Sequence, residues 1–509
     1  MRILSKEETN YIDEQIPLRT GLPLALVMEN VGRGIAEEII NSINSTNNKS
    51  TSYVVFICGT GNNGADGLVA ARQLLEYKIP SYVFIHGDIL KGTDLFRTQY
   101  TACQSLGIKF VNSMKDIPWH SVGIVLEGLI GTGLTSDLRD PTQQLLEELY
   151  HWLTDYNIEN LWAIDIPAGV QTNSGQVSKG TLKYTKTITF GASKLGMHLY
   201  PGTSYCGEIS IKPLGVPWES IEMAPHVHTL DKDLVCKLYP IRPSNAHKGV
   251  NGHAHIIGGS KSMIGAPIMA AEACVYTGAG KTTLHVPTDC ILPVQCKVMP
   301  ETMVQSFETN DELTLSLTDC TAMAIGPGLG RSKEAESLLT SIVSSFEGPL
   351  VIDADGLYAL HELRATKQYF IDRNRSVIMT PHIGEFARLT GQSIPYIQSH
   401  YVDMAREFSM AYNVTLVLKG IPSIIALPSG TIYINTLGNS GMGTGGMGDT
   451  LTGIIVSLLA QGMNEDTAAI LGVYLHSASA DFLHHTKPIG YTPSDVGKGI
   501  GYILKQLQV

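Results

Sequence analysis

Apolar positions recur along this chain in two alternating rhythms. Near the start, Leu24, Leu26, Val27, Val31, Ile35, Ile39 and Ile40 form a stripe, and helices are predicted over about the first 50 residues. The rhythm then changes. YVVFIC at 53–58 is a continuous β-branched and apolar run that predicts a buried strand, and it breaks into GTGNNGADG at 59–67 before a helical pattern over 68–77. Strand-like runs return at 82–86, 122–126, 161–165, 187–190 and 209–211, with helical patterns between several of them. This order predicts an α/β fold, a doubly wound three-layer sheet. Residues 214–243 hold Pro217, Pro225, Pro240 and Pro243 and no long periodic run, so they read as a connection. A second α/β series follows, with strands at 253–257, 281–286, 322–325, 350–352, 377–379 and 415–418 and a helix over 265–278. Two domains are therefore expected, at 1–220 and 235–509. The Asn/Ser-rich stretch from Asn41 to Ser52 reads as a surface loop.

Composition narrows the partners. Lys and Arg total 36 against 47 Asp and Glu, and no basic block is present to follow a nucleic-acid backbone, so nucleic acid is not expected. No run approaches the roughly 18 apolar residues of a membrane span, and Lys6, Glu7 and Glu8 stand where a signal peptide needs an apolar core. Eight cysteines are scattered without a C-x-x-C pair, which fits reduced thiols and a cytoplasmic protein. The expected partners are small molecules, with no membrane, in a homo-oligomer.

The chemistry gathers at strand ends, where open α/β sheets bind ligands. In the first series these ends are GTGNNGADG, EGLIGTGL at 127–134 and DIPAGV at 165–170. Asn62 and Asn63 replace the small spacers of a dinucleotide fingerprint; their amides suit an ion or a sugar hydroxyl, or ordinary turn chemistry. Asp165, facing two glycine loops, suits a catalytic or ribose-binding group or a plain turn. In the second series the ends are IGPGLG at 325–330, DADGL at 353–357, TPHIGE at 380–385 and KGIPS at 419–423. Asp353 and Asp355 would share a face if both lay on one strand, with magnesium through water or a helix cap for Asp355 as the alternatives. His382 opens a helix and either bonds a ligand or is structural, and Lys419 either meets a phosphate or is solvated. The stretch NSGMGTGGMGD at 439–449 crowds five glycines before an apolar helical run. Its uncovered amides suit a phosphate at the positive end of that helix, and Asp449 in the first turn can cap the helix or take a proton from a substrate hydroxyl.

Two resemblances sharpen this reading. VMENVG, CGTGNNGADG, GLIGTGL, IDIPAGV and FGASKLG resemble the NAD(P)H-hydrate epimerase domain, also called the YjeF N-terminal domain, a Rossmann-like fold, across about residues 1–220. By that resemblance Asn62, Asn63, Gly64, Ala65 and Asp66, with Gly131, Thr132, Gly133 and Leu134, hold the hydrated nicotinamide nucleotide. Asp165 serves catalysis or binding, and a potassium ion falls at Asn63, Glu127 and Ala168. The family usually has glycine, aspartate and serine where this chain has Ala65, Glu127 and Ala168, and commonly aspartate at Thr185. Ala168 keeps only a backbone carbonyl for an ion.

HKGVNGHAHIIGGS, GAPIMAAEACVYTGAG, IGPGLG, IDADGL, TPHIGEFARLTG, VLKG and NSGMGTGGMGDTLTG resemble the ribokinase-like ADP- or ATP-dependent NAD(P)H-hydrate dehydratase over about 235–509. The resemblance implies that Ala266, Gly330, His382 and Asp449 contact the hydrated nucleotide, with Asp449 as base. Lys419, Gly420, Ile421, Pro422, Ser423 and Gly448 then hold the adenine nucleotide, ADP or ATP with Mg2+. The expected function is nicotinamide-nucleotide repair, the first domain epimerising R and S hydrates and the second dehydrating the S form with ADP. Two alternatives stand beside it: a first domain that binds nucleotide without catalysis, and a second domain that is a kinase for a small alcohol.

Overall fold

A computed structural model describes every residue except 46–52, 135, 222, 223, 225, 241, 318, 363–369, 371–376, 508 and 509. The chain divides into two compact units, residues 2–224 and residues 225–509 with Met1. The expected loop over Asn41 to Ser52 resolves differently: helix continues to Ser45, and 46–52 lie outside the described residues.

The first unit opens with a two-residue strand β1 (Arg2–Ile3) and the helices Lys6–Thr20 and Leu24–Ser45. Of the apolar stripe, Val27, Val31, Ile35 and Ile39 are buried, whereas Leu26 is exposed. One four-residue-spaced row is enough to seat the helix. Seven strands follow: β2 (Tyr53–Cys58), β3 (Ser81–Ile85), β4 (Lys109–Val111), β5 (Val122–Gly128), β6 (Leu161–Ile164), β7 (Lys186–Phe190) and β8 (Glu208–Lys212). β4 is short, exposed at Lys109 and too weakly patterned to be predicted. These seven are parallel, in the order β4-β3-β2-β5-β6-β7-β8. Val54, Phe56 and Cys58 enter one apolar cluster and Val55 and Ile57 another, because successive strand side chains point to opposite faces. That is the three-layer arrangement. The chain winds away in both directions from the β2/β5 pair, so the switch point lies there.

In the second unit the strands are β9 (Val227–Thr229), β10 (His253–Ile257), β11 (Lys281–Pro287), β12 (Thr302–Phe307), β13 (Ala322–Ile325), β14 (Leu350–Ile352), β15 (Val377–Met379), β16 (Thr415–Leu418), β17 (Ser423–Ala426) and β18 (Ile432–Asn435). They follow the order β9-β18-β17-β16-β15-β14-β13-β10-β11-β12, antiparallel only at β16/β17 and β17/β18. The stretch expected as a plain connection contains β9 and the helix Lys232–Leu238. The switch point here is the β10/β13 pair.

The helix Met447–Ala460 runs through the core, buried almost throughout. A Cβ on Gly453 would come within 2.0 Å of the Ala270 carbonyl, so glycine there lets this helix press on the helix Gly265–Thr277. Each buried Ile or Leu on it contributes about 1.5–3 kcal/mol, which holds its amino end rigidly beside the strand ends.

Candidate active sites

In the first unit the loops after β2 and β5 meet at the switch point. Gly59 N–H donates to the Gly128 carbonyl (3.0 Å), and a Cβ on Gly59 would lie 2.2 Å from the Leu129 oxygen. Only glycine permits that approach. The helix expected from residue 68 begins at Asn62, with Gly61 as its N-cap. Asn62 and Asn63 are therefore first-turn residues of that helix rather than turn residues, Asn62 exposed and Asn63 half-buried. Asn63 donates from Nδ2 to the Ile164 carbonyl (3.1 Å), whereas its buried Oδ1 has no partner among the described residues. Gly131 packs over Asn63, which brings the β5 loop onto the helix. Gly64 lies against the Gly59 carbonyl and Ala65 is fully buried in the apolar cluster, so both shape the loop from behind. Thr132 accepts at its carbonyl from Thr172 Oγ1 (3.3 Å), and Gly133 from Lys6 Nζ (3.4 Å).

A cavity of about 120 Å3 opens beside this loop, lined among others by Asp13, Asn62, Asp66, Asp165, Phe190 and Lys194. Asp165 takes the left-handed conformation (φ 67°), which turns its carboxylate back to Lys194. Lys194, 3% exposed, also donates to Thr189 Oγ1 (2.8 Å), and Thr189 in turn donates to Asp165 Oδ1 (3.1 Å). Asp66 is raised well above the ordinary carboxylate range by burial and then by the charges of Asp165 and Asp13. Asp13, which lines the cavity, is pushed up to about 6, first by desolvation, with Lys194 opposing and Asp165 adding to the rise. The cavity thus combines one ion pair with two carboxyls whose affinity for a proton is raised, a set able to give and take protons.

Glu127 is deeper, at the end of β5, and fully buried. Its carboxylate accepts from the backbone N–H groups of Leu129 and Ala168 (3.0 Å to Ala168) and from the Tyr184 hydroxyl (2.9 Å). Burial pushes its pKa up to about 7 against those donors. Ala168 thus lies next to Glu127.

In the second unit five strand-end loops supply the side chains. Asp353 and Asp355 do not share a strand: β14 stops at Ile352, Ala354 is left-handed (φ 49°), and the two carboxylates part. Asp353, 1% exposed, accepts from Lys419 Nζ (2.7 Å) and Thr452 Oγ1 (2.7 Å). Asp355 accepts from Gly330 N–H (2.9 Å) and Arg331 Nε (3.1 Å), anchoring the loop after β13. That loop packs beside Ala266 and Ser260, whose buried Oγ has no partner among the described residues. His382 caps the helix Ile383–Thr390 through Nδ1 and pairs with Glu385, leaving much of its ring exposed.

Gly446, left-handed (φ 100°), turns the chain into the helix Met447–Ala460. Gly448 lies over the Lys419–Asp353 pair, and a Cβ there would be 3.1 Å from Lys419 Nζ. Asp449 is pushed up to about 7, by burial first and then by Asp353, with Lys419 opposing and Asp355 and Glu385 adding to the rise. Burial alone would lower Lys419; Asp353, Glu385 and Asp449 hold it above the ordinary lysine value. After Lys419, Gly420 N–H donates to Ser423 Oγ (3.3 Å), the Tyr401 hydroxyl donates to the Pro422 carbonyl (3.3 Å), and Ile421 is 80% exposed. One titrating carboxylate and one fixed ammonium therefore face a glycine-lined helix amino end, an arrangement for moving a proton beside a phosphate.

Asp13 and Lys194 in the first unit, and Thr452 and Glu385 in the second, carry no role in the sequence reading. Lys194 had a local signal, a lone charge inside the apolar and small-residue run FGASKLG.

A family model described as NAD(P)H-hydrate dehydratase matches residues 254–501, and one described as YjeF-related protein N-terminus matches 24–196. The chain is 30% identical over 500 residues to the bifunctional NAD(P)H-hydrate repair enzyme Nnr of Moorella thermoacetica, covering 94% of this chain and 92% of that one. It is 34% identical over 430 residues to the enzyme of the same name from Coxiella burnetii, covering 84% and 85%. A crystal structure of a ribokinase-like superfamily protein from Enterococcus faecalis superposes with TM-score 0.50 at 30% identity, covering 55% of this chain and 96% of that one.

Proposed function

Since the chain belongs to the family of bifunctional NAD(P)H-hydrate repair enzymes, we propose that residues 1–220 interconvert the R and S hydrates of NADH and NADPH and that residues 235–509 dehydrate the S form at the expense of ADP. The observation that carries the second activity is Asp449, a carboxylate raised to about 7 in the first turn of a helix whose amino end is lined by glycine. Asp449 takes the proton of the ring hydroxyl, and that oxygen attacks the terminal phosphorus of the nucleotide. The amides at 445–448 receive the charge on the transferred group. Loss of phosphate with a ring proton then restores the double bond, giving NAD(P)H, inorganic phosphate and AMP. Lys419, fixed by Asp353, with Gly420, Ile421, Pro422, Ser423 and Gly448, holds the adenine nucleotide; Ala266, Gly330 and His382 hold the hydrate. Mg2+ would neutralise the phosphates. Among the described residues no three acidic groups close on one point there, so Asp449 or Asp353 would hold it with water and phosphate oxygens.

In the first unit Asp13, as an acid, protonates the departing ring hydroxyl while Asp165, held by Lys194, faces the cationic ring left behind. Water returning from either face gives both epimers, with its proton restored to Asp13. Asn62, Asp66 and the 131–134 loop hold the nucleotide. A potassium ion would be held by Asn63 Oδ1, which has no partner among the described residues, together with the Glu127 carboxylate and the Ala168 carbonyl. The ion would supply a fixed positive charge. A cytoplasmic setting accompanies this reading, supported by cysteines that are all free thiols.

The test supplies an R/S mixture of NADH hydrate with ADP and Mg2+ and follows NADH absorbance to completion, with and without K+. Rapid recovery of the whole mixture is expected. Recovery of the S fraction alone would leave the first unit without epimerase activity, and no recovery with ADP or ATP would overturn the role of Asp449.

A further inference from the structure

At the amino-terminal edge of the second sheet, opposite the glycine loops, three lone-pair atoms converge. His253 and His255 are two apart on β10 and share a face. Asp319 reaches them from the turn before β13. His253 Nδ1 lies 3.0 Å from Asp319 Oδ1 and 3.2 Å from His255 Nε2, and the three atoms all fall within 4.8 Å of one another. We propose that His253 Nδ1, His255 Nε2 and Asp319 form a binding site for a divalent transition-metal ion of the zinc class.

Ligands 2.0–2.1 Å from a tetrahedral zinc are about 3.3–3.4 Å apart, so two of the three edges already stand within a few tenths of an ångström of a zinc site. The supporting shell is equally complete. A ligating imidazole needs its other nitrogen held, and His253 Nε2 faces Thr283 Oγ1 at 2.7 Å while His255 Nδ1 faces His285 Nε2 at 2.9 Å. Lys281 Nζ donates to the second Asp319 oxygen (2.7 Å), which orients the first toward the histidines. Cys320 Sγ is turned to the Ala322 carbonyl (3.4 Å), so water is the fourth ligand, and it enters past Asp319, whose side chain is 57% exposed. His253 and His255 lie five and three residues before Gly258, which at about 3.3 Å per residue sets the site roughly 10–16 Å from that loop. Its role is to clamp β10 to the turn leading into β13, apart from the repair chemistry.

The test uses the full chain, stripped with chelator and titrated with Co2+, then with Zn2+. One equivalent of Co2+ with the intense visible absorption of a four-coordinate ion, displaced by one equivalent of Zn2+, is expected. Asp319→Asn alters an exposed side chain and leaves the fold intact; it should weaken Zn2+ binding at least tenfold, and His253→Asn should abolish it. Failure to take up an equivalent, or uptake equal in Asp319→Asn and wild type, overturns the proposal. Repair activity should persist in the stripped protein, so a failed metal titration and a failed repair assay are separable.

Discussion

Replacing Asp449 with asparagine is expected to remove the dehydratase activity and to stabilise the fold. In the folded protein this carboxyl titrates at about 7 rather than at the ordinary 3.8. A raised carboxyl pKa means that the folded chain holds its proton more tightly than the unfolded chain. The penalty for ionisation is thus absent below about pH 4 and complete above about pH 7. From 3.8 to about 7 is ~3 pH units, on the order of 4 kcal/mol at 1.36 kcal/mol each. Asp449 is only partly buried, and solvent screening reduces this to roughly 2 kcal/mol. Asparagine keeps the shape and cannot ionise. At pH 8 the full-chain variant should melt roughly 4 °C or more above wild type, and the difference should shrink as pH falls toward 4. Dehydration of the S hydrate should fall about 10²–10⁴-fold, the usual contribution of a general base. Wild-type kcat/KM should climb as pH rises through about 7, where Asp449 becomes the free base. A variant that keeps its rate within about tenfold, or melts below wild type at pH 8, would refute the reasoning.

Lys419→Met leaves the Asp353 carboxylate buried with only Thr452, which should cost about 3–5 kcal/mol in urea denaturation. It also removes the cation that opposes the rise of Asp449, so the pH limb of any residual activity should move alkaline; an unmoved limb would separate the two residues. Lys194→Met should abolish epimerisation while dehydration of pure S hydrate continues, read as recovery of only the S fraction from a mixture. Ala168→Ser adds a hydroxyl beside Glu127 and should lower the K+ concentration for half-maximal epimerisation, whereas Asn63→Ala should remove the K+ response. Equal K+ curves in all three proteins would take the ion away from this site.

The backbone frame was the most legible part of the chain. His253–Ile257, Ala322–Ile325 and Thr415–Leu418 are short, apolar and rich in residues that pack on a pleated surface, and they occupy the predicted positions. The glycine loops were legible for a related reason: where backbone must touch backbone, as at Gly59 against Leu129, only one residue type fits. β4 and β12 were missed because edge strands carry polar positions that dilute the apolar run, whereas β17 and β18 are largely apolar and buried and their pattern was overlooked.

Side-chain partnerships were far less legible, because their energies depend on contacts between residues that spacing does not relate. Asp353 and Asp355 suggested a shared face, yet one left-handed alanine sends Asp353 to Lys419, 66 positions away, and Asp355 to Gly330. Asp13 lies in an ordinary polar helix, and its pKa is raised by desolvation in the fold and then by Asp165, against Lys194. The same holds for His253, His255 and Asp319. The i, i+2 histidines announce a shared strand face, but the third atom arrives from a turn 64 residues after His255. What makes each cluster reactive is the desolvation of several charges at one point, a property of the packed core. Glycine and apolar patterns therefore locate the two sites along the sequence, whereas the proton inventory at each site follows only from the fold.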